Sequence, residues 1–191
     1  MKYEIIDNAY SAQDRENIFS FVRNSKYVLG WADQHWDDVN GQRRILYSHY
    51  SLEDVENMGV FRLHNNPRID ELINGRTPVK QVINLAEPSN TFLPHTHVNE
   101  EVFIYYCNHR WNPEWAGETI IYSEHEYEAE HAITFRPGRV LWLKRGVMHS
   151  LRPPSQAAPE YRFTFAAFFA CEEERDRKSG SAGMPRPISY A

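Results

Sequence analysis

The spacing of hydrophobic positions changes near residue 77, from a helical period to short apolar runs. Ser11 begins SAQDRENIFSFVRN, with Asp14 at the third helical position and Ile18, Phe19 and Val22 on one face, which predicts a capped amphipathic helix. Ser51 repeats the signal in SLEDVENMGV, with Asp54 three residues on and Gly59 near its end. A third helix is expected over Asn66 to Ile73, stopped at Asn74-Gly75. Between the first two, GWADQHWDDVNGQRR follows neither period and reads as an ordered loop or lid, with Ile45 to His49 as a short strand after it.

From Thr77 onward the runs VKQVINL, TFLPHTH, EVFIYYCN, ETIIYSE, HAITFR, GRVLWLK, VMHSLR and YRFTFAAFFA are rich in Val, Ile, Phe and Tyr and predict eight strands. Pro, Gly and Asn punctuate them at regular intervals, the pattern of a sandwich or small barrel. Helices first and strands after predict a mainly β fold with N-terminal helices, a jelly roll. A chain of 191 residues is one domain by length. Within it, 1–76 form the helical and loop region, 77–170 the jelly-roll core, and 171–191 a loosely held tail with little to bury.

Composition sharpens this in a few respects. The chain is 41% hydrophobic and 14% aromatic, which suits a packed β-rich body, and a domain of this size buries about 70% of its unfolded surface. The net charge of -5, with basic residues dispersed, advertises neither a nucleic-acid nor a membrane surface. No run of about eighteen apolar residues is present, and MKYEIIDNAY carries acids where a signal peptide would be apolar, so a cytoplasmic protein is expected. Cys107 and Cys171 sit in apolar runs without metal-type spacing and read as free thiols. An aromatic-rich edge strand would permit a homodimer.

The candidate chemistry lies in the histidines. His95 and His97 are two apart in an expected strand and so project to one face, and His149 can join them only through the fold. Imidazole suits iron, copper, nickel and zinc. Three such nitrogens without a thiolate would hold a metal and leave positions open. Arg162, just past the last of them, could hold a carboxylate by its bidentate fork. His64, His109, His125 and His131 read as surface or satisfied core, and Trp111, Trp115 and Trp142 as packing. Gly117 and Gly138 read as turn residues. Asp33, Asp37 and Asp38 read as a solvated acidic loop; the same loop, with Trp31, His35 and Trp36, is the best placed for substrate contacts. Arg152 could clamp an acidic substrate or face solvent.

Tyr106-Cys107-Asn108, the Trp-rich turn Trp111-Asn112-Pro113-Glu114-Trp115-Ala116-Gly117-Glu118-Thr119, Arg136-Pro137-Gly138-Arg139, His149-Ser150-Leu151-Arg152-Pro153 and Tyr161-Arg162-Phe163 follow one another in order. With His95-Thr96-His97 ahead of them, the segment from Asn84 to Phe169 resembles the 2-oxoglutarate/Fe(II) oxygenases, particularly the prolyl-4-hydroxylase-like branch. The resemblance implies a double-stranded β-helix (jelly roll, cupin-like) using Fe(II), 2-oxoglutarate and O₂. It implies oxidative decarboxylation of 2-oxoglutarate coupled to hydroxylation of an amino-acid or peptidyl side chain or another small molecule. It makes His95 and His149 metal ligands, Arg162 the clamp for the far carboxylate and Tyr106 its hydroxyl partner, with Tyr105 the competitor. Strand alternation lets only one of those tyrosines point inward.

His97 departs from the pattern, since the family places Asp or Glu there. Either His97 ligates, giving a three-His site; or it stands aside and leaves room for an anion or water; or Glu100 or Glu101 supplies the carboxylate. Two other function classes stay open: a three-His, cupin-type metalloenzyme that does not use 2-oxoglutarate, and a catalytically silent binding module of the same fold.

Overall fold

The computed structural model describes residues 2–29, 49–51, 55–88, 90, 93–123 and 128–171. Two antiparallel sheets carry the architecture. The larger takes β1 (Tyr3–Ile6), β2 (Val28–Leu29), β3 (His49–Ser51), β4 (Lys80–Ala86), β5 (Glu100–Tyr106), β8 (Val140–Leu143) and β10 (Arg162–Ala170), in the order β1-β8-β5-β10-β4-β3-β2. The smaller takes β6 (Thr119–Tyr122), β7 (Ala129–Ile133) and β9 (His149–Leu151), in the order β7-β6-β9. Helices α1 (Ala12–Asn24), α2 (Val55–Met58) and α3 (Pro67–Ile73) precede β4.

The central strand, β10, explains how the layers sort. Its sequence RFTFAAFFA shows no polar–apolar alternation because both faces are covered, and every residue except the last is buried. Phe163, Phe165, Ala167 and Phe169 pack with Ile18, Phe19 and Val22 of α1 and with Ile69 of α3. Ala166 and Phe168, on the other face, pack with Val102, Leu141 and Leu143 of the same sheet and with Ile121 and Ile133 of the smaller one. The large sheet thus has helices on one face and the small sheet on the other. At one margin the two sheets are tied by Lys2 to Glu130 at 2.9 Å and by the rings of Tyr3 and His131, 5.7 Å apart.

Helix α1 forms as its sequence directs. Ser11 caps it, its Oγ accepting from the Asp14 backbone N–H at 3.1 Å, and Ile18, Phe19 and Val22 are its buried residues. Helix α3 starts on the Asn66 cap and ends at Asn74, whose φ of 47° is the left-handed stop that the Asn-Gly pair predicts. Arg136 and Arg139 both reach Asp7, at 3.3 and 2.8 Å, so two charges of the Arg-Pro-Gly-Arg motif brace the turn into β8.

Several expectations are corrected. Ser51 lies in β3, paired with Ile83, and a helix is described over Val55–Met58; 52–54 lie outside the described residues. TFLPHTH is not a strand among its described residues; His95 alone makes an isolated bridge, opposite His149. Pro94 has no N–H to give a ladder, which limits pairing there. Strands β1 and β2 were not anticipated, and β1 pairs along its whole length with β8. The lid segment, with Trp31, His35 and Trp36, and the tail from 172 onward lie outside the described residues, as do 45–48 of the expected short strand. Cys107 is a buried free thiol and Cys171 is half-buried. No helix among the described residues is long and apolar enough to cross a membrane.

Candidate functional site

His95, His97 and His149 come together where the small sheet meets the loop before β5. One ring nitrogen from each lies within 4.8 Å of the others. His95 and His149 are a directly opposed pair, exchanging backbone hydrogen bonds of 2.9 and 3.0 Å, so both side chains leave the same face. His97 is not on that ladder. Two residues past His95, its ring lies 5.1 Å from that of His95 and 5.3 Å from that of His149, its carbonyl accepting from the Gly146 N–H at 3.0 Å and its ring set edge-on to Phe168 at 5.1 Å.

The hydrogen bonds fix which nitrogen is available. His95 Nδ1 lies 3.0 Å from the Leu93 carbonyl and His149 Nδ1 lies 2.9 Å from the Val147 carbonyl. A carbonyl only accepts, so each Nδ1 carries the proton and each Nε2 keeps its lone pair. Burial, followed by the neighbouring imidazoles His95 and His97, holds His149 well below its usual 6.5 and therefore neutral. Two imidazoles oriented through Nδ1, with a third beside them, fit a first-row transition metal.

No carboxylate among the described residues belongs to this cluster. Glu101 points to the helix side, paired with Arg76 at 2.7 Å and Lys144 at 3.1 Å, which removes it as a ligand. Glu100 faces the other way, with one oxygen 3.9 Å from His97 Nδ1. It sits beside the third histidine instead of replacing it.

Arg162 is the second unusual feature. It is fully buried, at 0% exposure, on the β10 face that looks toward the small sheet. Its Nε donates to the Gly117 carbonyl at 2.8 Å, while Nη1 and Nη2 are buried with no hydrogen-bond partner among the described residues. The guanidinium carbon lies 4.6 Å above the Phe135 ring and 5.3 Å from that of Tyr106. Burial lowers its pKa from 12.5 to about 10, so it remains charged near neutrality. A buried charge with two unused donors is costly unless an anion completes it, and the shape of the fork suits a carboxylate.

Tyr106 points into this space, its hydroxyl 2.8 Å from Thr119 Oγ1 and its ring stacked on Phe135 at 4.6 Å. Tyr105 lies on the opposite face against Tyr10, with ring centroids 4.4 Å apart. The alternation expected of this pair is therefore what the strand shows. Thr119 was not anticipated; its inward position follows only from the register of β6, in which Thr119 pairs with Leu151 and Ile121 with His149. Two residues of strand separate Thr119 from Ile121, about 6.6 Å. Thr119, which bonds Tyr106, and Ile121, which pairs with His149, are thus one inward step apart along β6.

The other singled-out residues have structural roles. Arg152 is 61% exposed on its side chain and faces Glu118 at 3.6 Å. His109 pairs with Glu16 at 2.9 Å, and Trp142 is wholly buried against Phe169. Asn108 clamps the start of β10, donating to the Tyr161 carbonyl and accepting from the Phe163 N–H, both at 2.9 Å. A cleft of about 550 Å³ lined by Phe19, Arg23, Tyr27, Tyr161 and Phe163 opens on the helix side of the large sheet, away from the histidines.

No family model and no curated protein matches this sequence. Solved structures do match in three dimensions, and the fold they share is that of 2-oxoglutarate- and Fe(II)-dependent oxygenases, prolyl hydroxylases among them. A prolyl-4-hydroxylase from Pseudomonas putida is 12% identical, with a TM-score of 0.61 over 89% of this chain and 93% of its own. A prolyl hydroxylase from Trichoplax adhaerens, solved with a peptide fragment of the hypoxia inducible factor oxygen degradation domain, is 16% identical, with a TM-score of 0.64 over 94% and 87%. HygX from Streptomyces hygroscopicus, solved with nickel, 2-oxoglutarate and hygromycin B, is 12% identical, with a TM-score of 0.60 over 90% and 83%. At these identities the likeness is one of fold.

Proposed function

We propose that this protein is a non-haem iron oxygenase on a double-stranded β-helix, coupling oxidative decarboxylation of 2-oxoglutarate to hydroxylation of an amino-acid or peptidyl side chain or another small molecule. The observation that carries the reading is the pairing of a three-imidazole cluster with a buried guanidinium whose two terminal nitrogens have no partner among the described residues. His95, His97 and His149 would hold Fe(II) and leave positions for the 2-oxo acid and O₂. Arg162 would take the far carboxylate on its fork, with the Tyr106 and Thr119 hydroxyls beside it. When bound, the iron supplies the activation of O₂ that the side chains alone cannot.

The protein's own contribution is orientation and charge. The Leu93 and Val147 carbonyls keep Nε2 of His95 and His149 directed at the site. Phe135, Tyr106 and Trp111 wall the co-substrate end and exclude water from it. The imidazole cluster carries no negative charge, so a dication there would draw its neutralisation from anionic ligands. That makes the carboxylates of 2-oxoglutarate more important than in a site with its own Asp.

Anaerobic titration with Fe(II) and 2-oxoglutarate tests the reading. A weak visible charge-transfer band should develop with the chelate, and 2-oxoglutarate should be consumed in air to give succinate. The absence of both would end the proposal. The second reading, a three-His metalloenzyme that does not use 2-oxoglutarate, is favoured by the lack of a carboxylate ligand among the described residues. It predicts Fe(II) binding without the band and no dependence on Arg162. A silent binding module predicts no metal binding at all.

A further inference from the structure

We propose that the turn from Trp111 to Gly117 positions the co-substrate's carboxylate, by fixing Arg162 so that only its two terminal nitrogens can reach a ligand. This rests on reading Arg162 as the seat of the far carboxylate. The Gly117 carbonyl accepts from Arg162 Nε at 2.8 Å, which occupies one of the three guanidinium nitrogens. The direction of that carbonyl depends on unusual backbone: Ala116 has φ 58° and ψ -144°, and Gly117 has φ 91°. L side chains rarely adopt such conformations, and they persist where the surroundings over-determine them.

Here the surroundings do so. Trp111 Nε1 donates to the Ala116 carbonyl at 2.7 Å, Ala116 bridges to Pro154, and the Ser155 N–H donates to the Trp115 carbonyl at 2.8 Å. The Trp111 ring lies 4.7 Å from Phe135, the same ring that lies under the guanidinium. The turn therefore grips Arg162 twice, through the Gly117 carbonyl and through the tilted Trp111–Phe135 ring contact. Asn108 holds the backbone on both sides of Arg162. A Cβ on Gly117 would meet Arg162 Cδ and Trp111 Cζ2 at 3.3 Å each and Arg162 Nε at 3.5 Å. With a side chain there the arginine or the Trp111 ring must give by a few tenths of an ångström, on a backbone whose φ of 91° strains any L residue.

The chemical consequence is selectivity. With Nε satisfied and the plane stacked, the guanidinium cannot turn its side edge to a ligand. Only the end-on fork of Nη1 and Nη2 remains, and it matches the two oxygens of one carboxylate. An alcohol or an amide at that end offers one acceptor and leaves a buried donor unpaired. Gly117 and Trp111 are positioning residues in this account and touch no reacting atom.

The test uses the full chain loaded with Ni(II) under nitrogen, with 2-oxoglutarate as the calorimetric ligand and Ni(II) affinity measured separately. Gly117→Ala should weaken 2-oxoglutarate binding about 10- to 100-fold, the range a small misplacement costs, with Ni(II) affinity within twofold of native. Trp111→Phe keeps the ring contact and deletes the bond to Ala116; it should weaken binding in the same direction but less. In the Fe(II) enzyme both should raise KM for 2-oxoglutarate and leave kcat nearly unchanged. If native protein binds 2-oxoglutarate and both variants bind it equally well, the carboxylate reading stands and the positioning role falls. A parallel loss of Ni(II) affinity in both variants would make the turn a general structural element and overturn the proposal. If native protein itself binds no 2-oxoglutarate, the carboxylate reading falls and takes this inference with it.

Discussion

Arg162→Met separates a ligand-binding arginine from a structural one. The native guanidinium is fully buried, and its pKa of about 10 in place of 12.5 corresponds to a desolvation cost on the order of 3 kcal/mol in the ligand-free protein. Against that, the variant loses the bond from Nε to Gly117 and leaves that carbonyl unpaired, roughly 1–3 kcal/mol. The two nearly cancel. The ligand-free variant should therefore melt within a few degrees of native and up to about 4 °C higher, since ~1 kcal/mol moves Tm by about 2–4 °C at this chain length. Ligand binding should behave oppositely. Deleting one partner of a buried charge pair costs about 2–5 kcal/mol, roughly 30-fold to several thousandfold in the Kd for 2-oxoglutarate. The assay is thermal denaturation of the Ni(II)-loaded protein with and without 2-oxoglutarate. At a hundred times the native Kd, native protein should gain about 2.7 kcal/mol and the variant almost nothing. A ligand-free Tm lower by more than about 6 °C, some 2 kcal/mol, would refute the reasoning, because Arg162 would then be holding the fold together.

The cluster and its neighbours give further expectations. His97→Ala should weaken Ni(II) binding at least tenfold by calorimetry, whereas His97→Asp should retain it; equal affinity of native and His97→Ala would remove His97 from the ligand set. Tyr106→Phe should weaken 2-oxoglutarate binding and cost about 1 kcal/mol of stability, while Tyr105→Phe, on the helix side of the sheet, should leave 2-oxoglutarate binding alone. The Arg139 guanidinium holds the Asp7 carboxyl below its usual 3.8. The folded state then binds fewer protons than the unfolded state in that window, so the pair's stabilisation is complete above pH 3.8 and is lost as pH falls through the lower, folded value. Acid titration of Asp7→Asn by circular dichroism should show less loss of stability between pH 4 and 2 than native, and identical curves would contradict the assignment.

Some of this was legible locally. The Ser11 cap and the Ile18-Phe19-Val22 stripe predicted α1, and Asn74-Gly75 its counterpart at the end of α3, because caps depend on residues within one turn. The apolar runs located β4, β5, β6, β8 and β10 to within a few residues. Two failures share a different cause. YEII gave no signal of β1 because so short a strand is held by its partner β8, and among the described residues of TFLPHTH only His95 forms a bridge, to His149. Pairing is a property of two segments, and one segment does not announce it.

The sequence by itself determined the chemical types: three imidazoles, one arginine and the Tyr105-Tyr106 pair, in an order resembling one family. Only the tertiary structure decided which of them share an interior. Glu100 and Glu101 are adjacent in the chain, yet strand alternation sends one toward His97 and the other to Arg76 and Lys144. His97 lies two residues beyond the isolated His95–His149 bridge, and only the fold brings His149 to meet the pair. Above all, the arginine that the sequence offered as a carboxylate fork became a buried one only when Gly117, Phe135 and Tyr106 closed around it. Whether a charge is solvated, paired or left waiting for a ligand depends on what surrounds it in space, and those neighbours come from strands dozens of residues apart.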